Sequence, residues 1–76
     1  MSTKYRFREK YRIQLREKDP LPPHVHLTGG GIDVLIGLRS VVAIRGHAPA
    51  VVLPEALDWI RAHQQQLMEE WTLWHP

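Results

Sequence analysis

Cysteine is absent from this 76-residue sequence, so neither a disulfide framework nor a thiolate metal site can support the fold. The length suits one domain, and a domain this small buries only about 60% of the surface that its unfolded chain exposes. We therefore expect a single domain over residues 1–76 with a lean core. A chain without cysteine also has no need of an oxidising compartment, so we expect a cytoplasmic protein.

Long hydrophobic runs are missing as well. Charged residues follow the N-terminal methionine closely, and Pro or Gly interrupts the longest uncharged stretches. We predict neither a signal peptide nor a membrane span. Because a small domain without disulfides often gains stability by oligomerising, we also expect a homodimer or a tight partner.

Acidic residues are scarce near the N-terminus. Residues 4–18 contain seven Lys or Arg against Glu9 and Glu17, whereas residues 54–74 contain Arg61 against four acidic residues. The net charge of +2 therefore hides a basic first segment and an acidic last one.

The first segment has the clearest periodicity, because all of its basic residues lie at even positions from Lys4 to Lys18. Its apolar residues lie at odd positions: Tyr5, Phe7, Tyr11, Ile13 and Leu15. Successive side chains of a strand point to opposite faces, so the pattern predicts a strand with an apolar inner row and a cationic outer row. At about 3.3 Å per residue this strand would run roughly 50 Å, so we expect a bend or bulge near Glu9, or a frayed start.

Three shorter strands are predicted after the proline-rich stretch at residues 19–23, which ends the first strand. They cover residues 24–28, 32–38 and 41–45. Gly29 to Gly31 form a turn rather than a phosphate cradle, because a strand follows instead of a helix. The connections are short, so the strands should pair antiparallel as a meander.

The period changes to helical near the C-terminus. Leu57, Ile60, Leu67, Trp71 and Trp74 recur at helical spacing, which predicts one helix over residues 53–73. At 1.5 Å per residue it would span roughly 30 Å and cover the apolar face of the sheet. The predicted fold class is α+β, with an antiparallel meander of three to four strands packed against one C-terminal helix.

The stretch Pro-Pro-His-Val-His at residues 22–26, together with a terminal helix carrying Trp, His and Trp, resembles the bacterial family known as domain of unknown function 4160. The family positions in this sequence are Pro22, Pro23, His24, His26, Gly46, Trp59, His63 and Trp71. Val25 replaces the usual aromatic residue, and the first strand is more basic than the family pattern. The resemblance implies no established activity, only a small cytoplasmic protein of toxin–antitoxin-like or regulatory gene pairs.

Three histidines form a candidate ligand or metal site. His24 and His26 would face the same side of a strand and could share one ion, and His63 lies on the helix face that covers the sheet. The alternative is structural, with an imidazole bonded to a backbone carbonyl and His63 packed between Trp59 and Leu67. We expect no cofactor, with a divalent metal as the alternative.

A histidine-dependent or metal-dependent hydrolase, such as a toxin-like nuclease, remains open. The three histidines would then need a general acid and base within hydrogen-bond reach, with Asp33 or Glu70 as helpers. Arg12 or Arg16 would hold phosphate.

The basic row supports a different function, because a line of cations can follow a phosphate backbone. Its candidate binding residues are Arg6, Arg8, Lys10, Arg12 and Arg16. The structural alternative is a solvated edge strand that charge protects from aggregation. Trp71 and Trp74 are candidate interface anchors, with core packing as the alternative. We therefore favour a small, non-enzymatic regulatory module that contacts nucleic acid or an acidic protein partner, with no membrane partner.

Overall fold

The computed structural model describes residues 2–16 and 21–75. Five strands precede two helices in the chain. The strands are β1 (Ser2–Phe7), β2 (Tyr11–Leu15), β3 (His24–Gly29), β4 (Ile32–Gly37) and β5 (Ala43–Arg45). The helices are α1 (Val52–Ala62) and α2 (Gln64–Trp74). The predicted α+β class is confirmed.

The five strands form one sheet in the order β1-β2-β3-β4-β5, and all neighbours pair antiparallel. This order is the predicted meander, with more strands than expected. The β3–β4 hairpin turns at Gly30 and Gly31, where the sequence places its glycine run. The two edges of the sheet are therefore the cationic β1 and the short, exposed β5.

The prediction of one long strand over residues 4–18 is wrong, because the chain reverses at Arg8, Glu9 and Lys10. Phe7 and Tyr11 are register partners across the resulting hairpin. Register partners point to the same face of a sheet, and both positions are odd, so the alternation of the sequence continues unbroken through the turn. Residues 17–20, which include the predicted end of that strand, lie outside the described residues.

The prediction of an apolar inner row is confirmed, and that of a cationic outer row is confirmed in part, since Lys4 and Arg16 are half-buried and Lys18 lies outside the described residues. The odd positions Phe7, Tyr11, Ile13 and Leu15 are buried. They pack into one core with β3, β4 and both helices, and the helical contribution is Val52, Ala56, Ile60, Leu67 and Trp71. The even positions Arg6, Lys10 and Arg12 are exposed.

The predicted helix over residues 53–73 is two helices that meet at His63. The His63 backbone amide donates to both Ile60 and Trp59 carbonyls, and its ring Nδ1 donates to the Trp59 oxygen at 2.8 Å. A side chain that enters the backbone hydrogen-bond pattern in this way is a common cause of a helix break. Neither helix in the described part of the chain is long and apolar enough to cross a membrane.

A stack of rings fastens β1 to α1. The Tyr5 ring lies parallel to the rings of Phe7 and Trp59, with centroids 5.5 and 4.7 Å away. Trp59 in turn stacks on His63 at 4.2 Å. The aromatic side chains of the first segment are therefore used inside the molecule, between sheet and helix.

Candidate functional site

Two arginines stand side by side on the outer face of the β1–β2 hairpin. Arg6 on β1 and Arg12 on β2 are direct register partners, and both side chains are exposed. Like charges at opposed positions of an antiparallel pair are destabilising. Within residues 2–16 and 21–75, neither arginine forms an ion pair that would offset this repulsion. The arrangement concentrates positive charge at a cost to the hairpin.

Lys10 extends this charge at the end of the hairpin. A pocket of about 220 Å³ is lined by Arg6, Lys10 and Arg12, together with Glu9 and Tyr11. We call Arg6, Lys10 and Arg12 the basic patch. Three cations around a small depression form a surface that attracts anions.

Two cations of the predicted basic row are used inside the chain instead. Arg8 donates from Nε to a Glu55 carboxylate oxygen on α1 at 2.7 Å, and Lys4 pairs with Glu70 on α2. The basic first segment therefore meets the acidic helices of its own chain. Arg16 is half-buried and donates to the Gln14 side-chain oxygen at 3.3 Å, apart from the basic patch.

His24 and His26 lie together on β3, as the sequence predicts. Their rings meet edge to face with centroids 5.1 Å apart, and the residues are only 4% and 6% exposed. His24 Nδ1 donates to the Pro22 carbonyl oxygen at 2.8 Å, and His26 Nδ1 donates to a carboxylate oxygen of Asp33 at 3.2 Å. The Nδ1 atoms of the two rings are therefore both engaged by oxygen atoms.

His63 occupies a different site. Its ring lies on Trp59 at the junction of the two helices, and it lines a pocket of about 360 Å³ together with Lys4, Gln66, Leu67 and Glu70. Across the described part of the chain, no three His, Cys, Asp or Glu residues are grouped so that they could hold a metal ion. The three-histidine site does not form there.

The two tryptophans proposed as interface anchors differ in exposure. Trp71 is 2% exposed and belongs to the core, where its ring lies 5.4 Å from His24 and stacks on His75. The interface prediction for Trp71 is therefore corrected, since a core ring is not available to a partner. Trp74 is partly exposed beside the Lys4 ammonium, and its interface role stays a prediction.

The sequence did not reveal which cations would remain free. The sequence assigns Glu55 to an acidic segment and Glu70 to that segment or to a hydrolase site, whereas in the structure they pair with Arg8 and Lys4. The opposite charges of the two segments were the available signal, because they predict mutual attraction within one small domain. The His26–Asp33 contact follows from the β3–β4 hairpin, which brings the two residues to neighbouring positions on adjacent strands.

A model of the family described as Domain of unknown function (DUF4160) matches residues 11–72, which is more than half of the chain. The match includes β2 with Arg12, but it leaves out β1 and the other two residues of the basic patch, Arg6 and Lys10. No curated protein and no solved structure matches the chain.

Proposed function

The chain belongs to the DUF4160 family, and from its exposed charges we propose that it is a small non-enzymatic module that binds nucleic acid through the basic patch. The observation that carries this proposal is the opposed pair of Arg6 and Arg12. A destabilising local arrangement that no ion pair offsets among residues 2–16 and 21–75 is the kind of feature that function maintains. Guanidinium groups are suited to phosphate because their planar donors match its oxygens.

The surroundings of the patch favour nucleic acid over an acidic protein. Protein interfaces centre on buried apolar anchors, whereas nucleic-acid interfaces are polar and strongly positive. Among residues 2–16 and 21–75, the exposed large hydrophobic side chains are Leu21, Val42, Ile44, Val51 and Leu73. None of them belongs to β1 or β2, so the basic patch offers cations without an apolar anchor.

The test is binding of fluorescent duplex DNA and RNA, measured by anisotropy beside an acidic peptide. The double variant R6A/R12A should bind about tenfold or more weakly, because it removes two of the three cations. R39A/R45A is the matched control, since it removes the same charge near the opposite edge of the sheet, from the β4–β5 connection and from β5. Equal losses in both variants would contradict the proposed site, and selective binding of the peptide would replace nucleic acid by a protein partner.

Melting temperatures show whether the variants still fold. Removing Arg6 or Arg12 relieves repulsion, so each single variant should melt at or above the wild-type temperature. A variant that loses binding while it keeps its melting temperature has lost a contact with the ligand. A large drop in melting temperature would mean that the arginines serve the fold.

A histidine-dependent hydrolase is the second candidate, and the His26–Asp33 hydrogen bond favours it. A carboxylate that orients an imidazole is a recurring part of catalytic sites. The low exposure of His26 speaks against direct contact with a large substrate. Cleavage of labelled RNA by the wild type, lost in H26A, would support the hydrolase, and a chelator added to the assay would test the metal-dependent form.

The proposed role is regulatory, of the antitoxin-like kind that the family resemblance implies, in a cytoplasmic setting. A homodimer would use the end of α2, where Leu73 is 77% exposed beside the partly exposed Trp74. Light scattering over a concentration series tests this contact. The wild type should show the mass of a dimer, and L73E should show that of a monomer.

A further inference from the structure

The hairpin has no ring available for stacking on a base. Proteins that hold single strands place aromatic side chains beside their cations, and each stacked base contributes to affinity. Here Tyr5 lies between the rings of Phe7 and Trp59, and Phe7 and Tyr11 are buried. Tyr11 is the ring nearest to these cations, since it lines their pocket and its centroid lies 5.7 Å from the Lys10 ammonium, but it is only 7% exposed. The rings of the hairpin therefore offer little surface for stacking on a base.

The pocket of the basic patch suits a phosphate group rather than a base. Arg6 and Arg12 reach it from adjacent strands, and Lys10 reaches it from the turn. Because all three cations line this one pocket, a phosphate group of a nucleic-acid backbone would meet donors from both strands and from the turn.

Resting on the proposed function, we infer that the basic patch recognises duplex nucleic acid by its phosphate backbone, without reading or stacking on bases. A duplex carries one charge per about 1.7 Å of axis, against about 3.4 Å for each of its strands. Three cations that lie close together therefore bind more strongly to the denser row of phosphates on a duplex than to a single strand. The partner class is thus a double-stranded backbone, and binding does not depend on base sequence.

Glu9 offers a second mutational test of this inference. Its carboxylate lines the same pocket as the three cations, so it repels an approaching phosphate. Replacing it by the neutral isostere in E9Q should strengthen duplex binding by about two- to fivefold at low salt. E69Q changes the net charge equally on α2 and should have a much smaller effect.

The deciding measurement is the salt dependence of affinity for a duplex and a single strand with the same number of phosphates. Three phosphate contacts predict a slope of log affinity against log salt near about −2.7, or a roughly 40-fold loss between 50 and 200 mM salt. R12A should reduce the slope by about 1, and duplexes of unrelated sequence should bind alike. DNA and RNA duplexes run in parallel distinguish the two sources of the same backbone chemistry, and preference for either supports the inference.

Three results would overturn the inference. Tighter binding of the single strand, or a strong dependence on base sequence, would contradict recognition of a duplex by its backbone. Nucleic-acid binding itself would still stand. An unchanged salt slope in R12A would place the phosphate contacts outside the basic patch. Absence of binding to any nucleic acid would contradict the proposed function as well. Failure of the inference alone can therefore be distinguished from failure of the proposed function.

Discussion

The turns of the β1–β2 and β3–β4 hairpins both adopt left-handed backbone conformations, but the residues in the two turns are very different. The β3–β4 turn has Gly30 and Gly31 at φ values of 57° and 82°. The β1–β2 turn has Arg8 and Glu9 at 54° and 57°. Left-handed backbone is easy for glycine and costs other residues roughly 1–2 kcal/mol each. One turn is therefore relaxed, and the other stores strain.

The strained turn keeps side chains that glycine would not supply. Arg8 pairs with Glu55 on α1, and Glu9 lines the pocket of the basic patch. Backbone strain of this kind persists only where surrounding contacts hold the segment in place. The Tyr5–Trp59 stack and the pairing of Lys4 with Glu70 provide such contacts on β1. The comparison indicates that the hairpin with the basic patch gives up stability for its surface chemistry.

The largest effect is expected at Gly29, where the two hairpins touch. A Cβ at this position would collide with the Lys10 carbonyl oxygen, and the φ of 117° is unfavourable for any other residue. G29A should lower the free energy of unfolding by about 3 kcal/mol or more, because strain and overpacking add. Urea denaturation followed by circular dichroism measures it. A loss below about 1 kcal/mol would mean that the hairpins are not in close contact.

Gly31 separates backbone strain from collision, because a Cβ there would meet nothing within 4 Å. G31A should cost about 1–2 kcal/mol, which is the penalty of left-handed backbone alone. The same denaturation series compares it with G29A. Equal losses for the two variants would show that the approach to Lys10 contributes nothing.

The features that can be predicted from the sequence are those that depend on the alternation of apolar and charged residues and on the position of glycines. The inner and outer faces, the meander and the β3–β4 turn all follow from local patterns that the fold retains. The β1–β2 turn was missed because Arg8 and Glu9 carry no turn signal and the odd-even pattern survives the reversal. The helix break leaves no signal in the pattern, because the apolar spacing continues beyond His63, whose ring donates to the Trp59 carbonyl at the break.

The candidate site was predicted only as a set of charges. Which cations stay free depends on how the helices dock, since docking places Glu55 beside Arg8 and Glu70 beside Lys4. The three histidines were grouped because strand and helix faces allowed it. The fold instead holds His63 on Trp59 at the helix junction. Long-range placement of this kind leaves no trace in local periodicity.

The strained β1–β2 turn should become more stable when it receives glycine, the residue that the β3–β4 turn uses. E9G should raise the free energy of unfolding by about 1 kcal/mol, since the relief of left-handed strain exceeds the entropy that glycine adds to the unfolded chain. E9Q is the control, because it removes the same charge but keeps the strained side chain. A similar gain in E9Q would assign the effect to charge instead of backbone.

The smallest effect is expected for the ion pair that joins the strained turn to α1. Arg8 and Glu55 are both exposed, so a double-mutant cycle with R8A and E55A should give a coupling of about 0.2–1 kcal/mol that shrinks in high salt. The corresponding cycle for the less exposed Lys4 and Glu70 should give the larger coupling, because water screens that pair less. If Arg8–Glu55 were instead the stronger pair, charge would hold the turn in its left-handed conformation. The expected order leaves that task to the Tyr5–Trp59 stack, which anchors β1 three positions before the turn begins at Arg8.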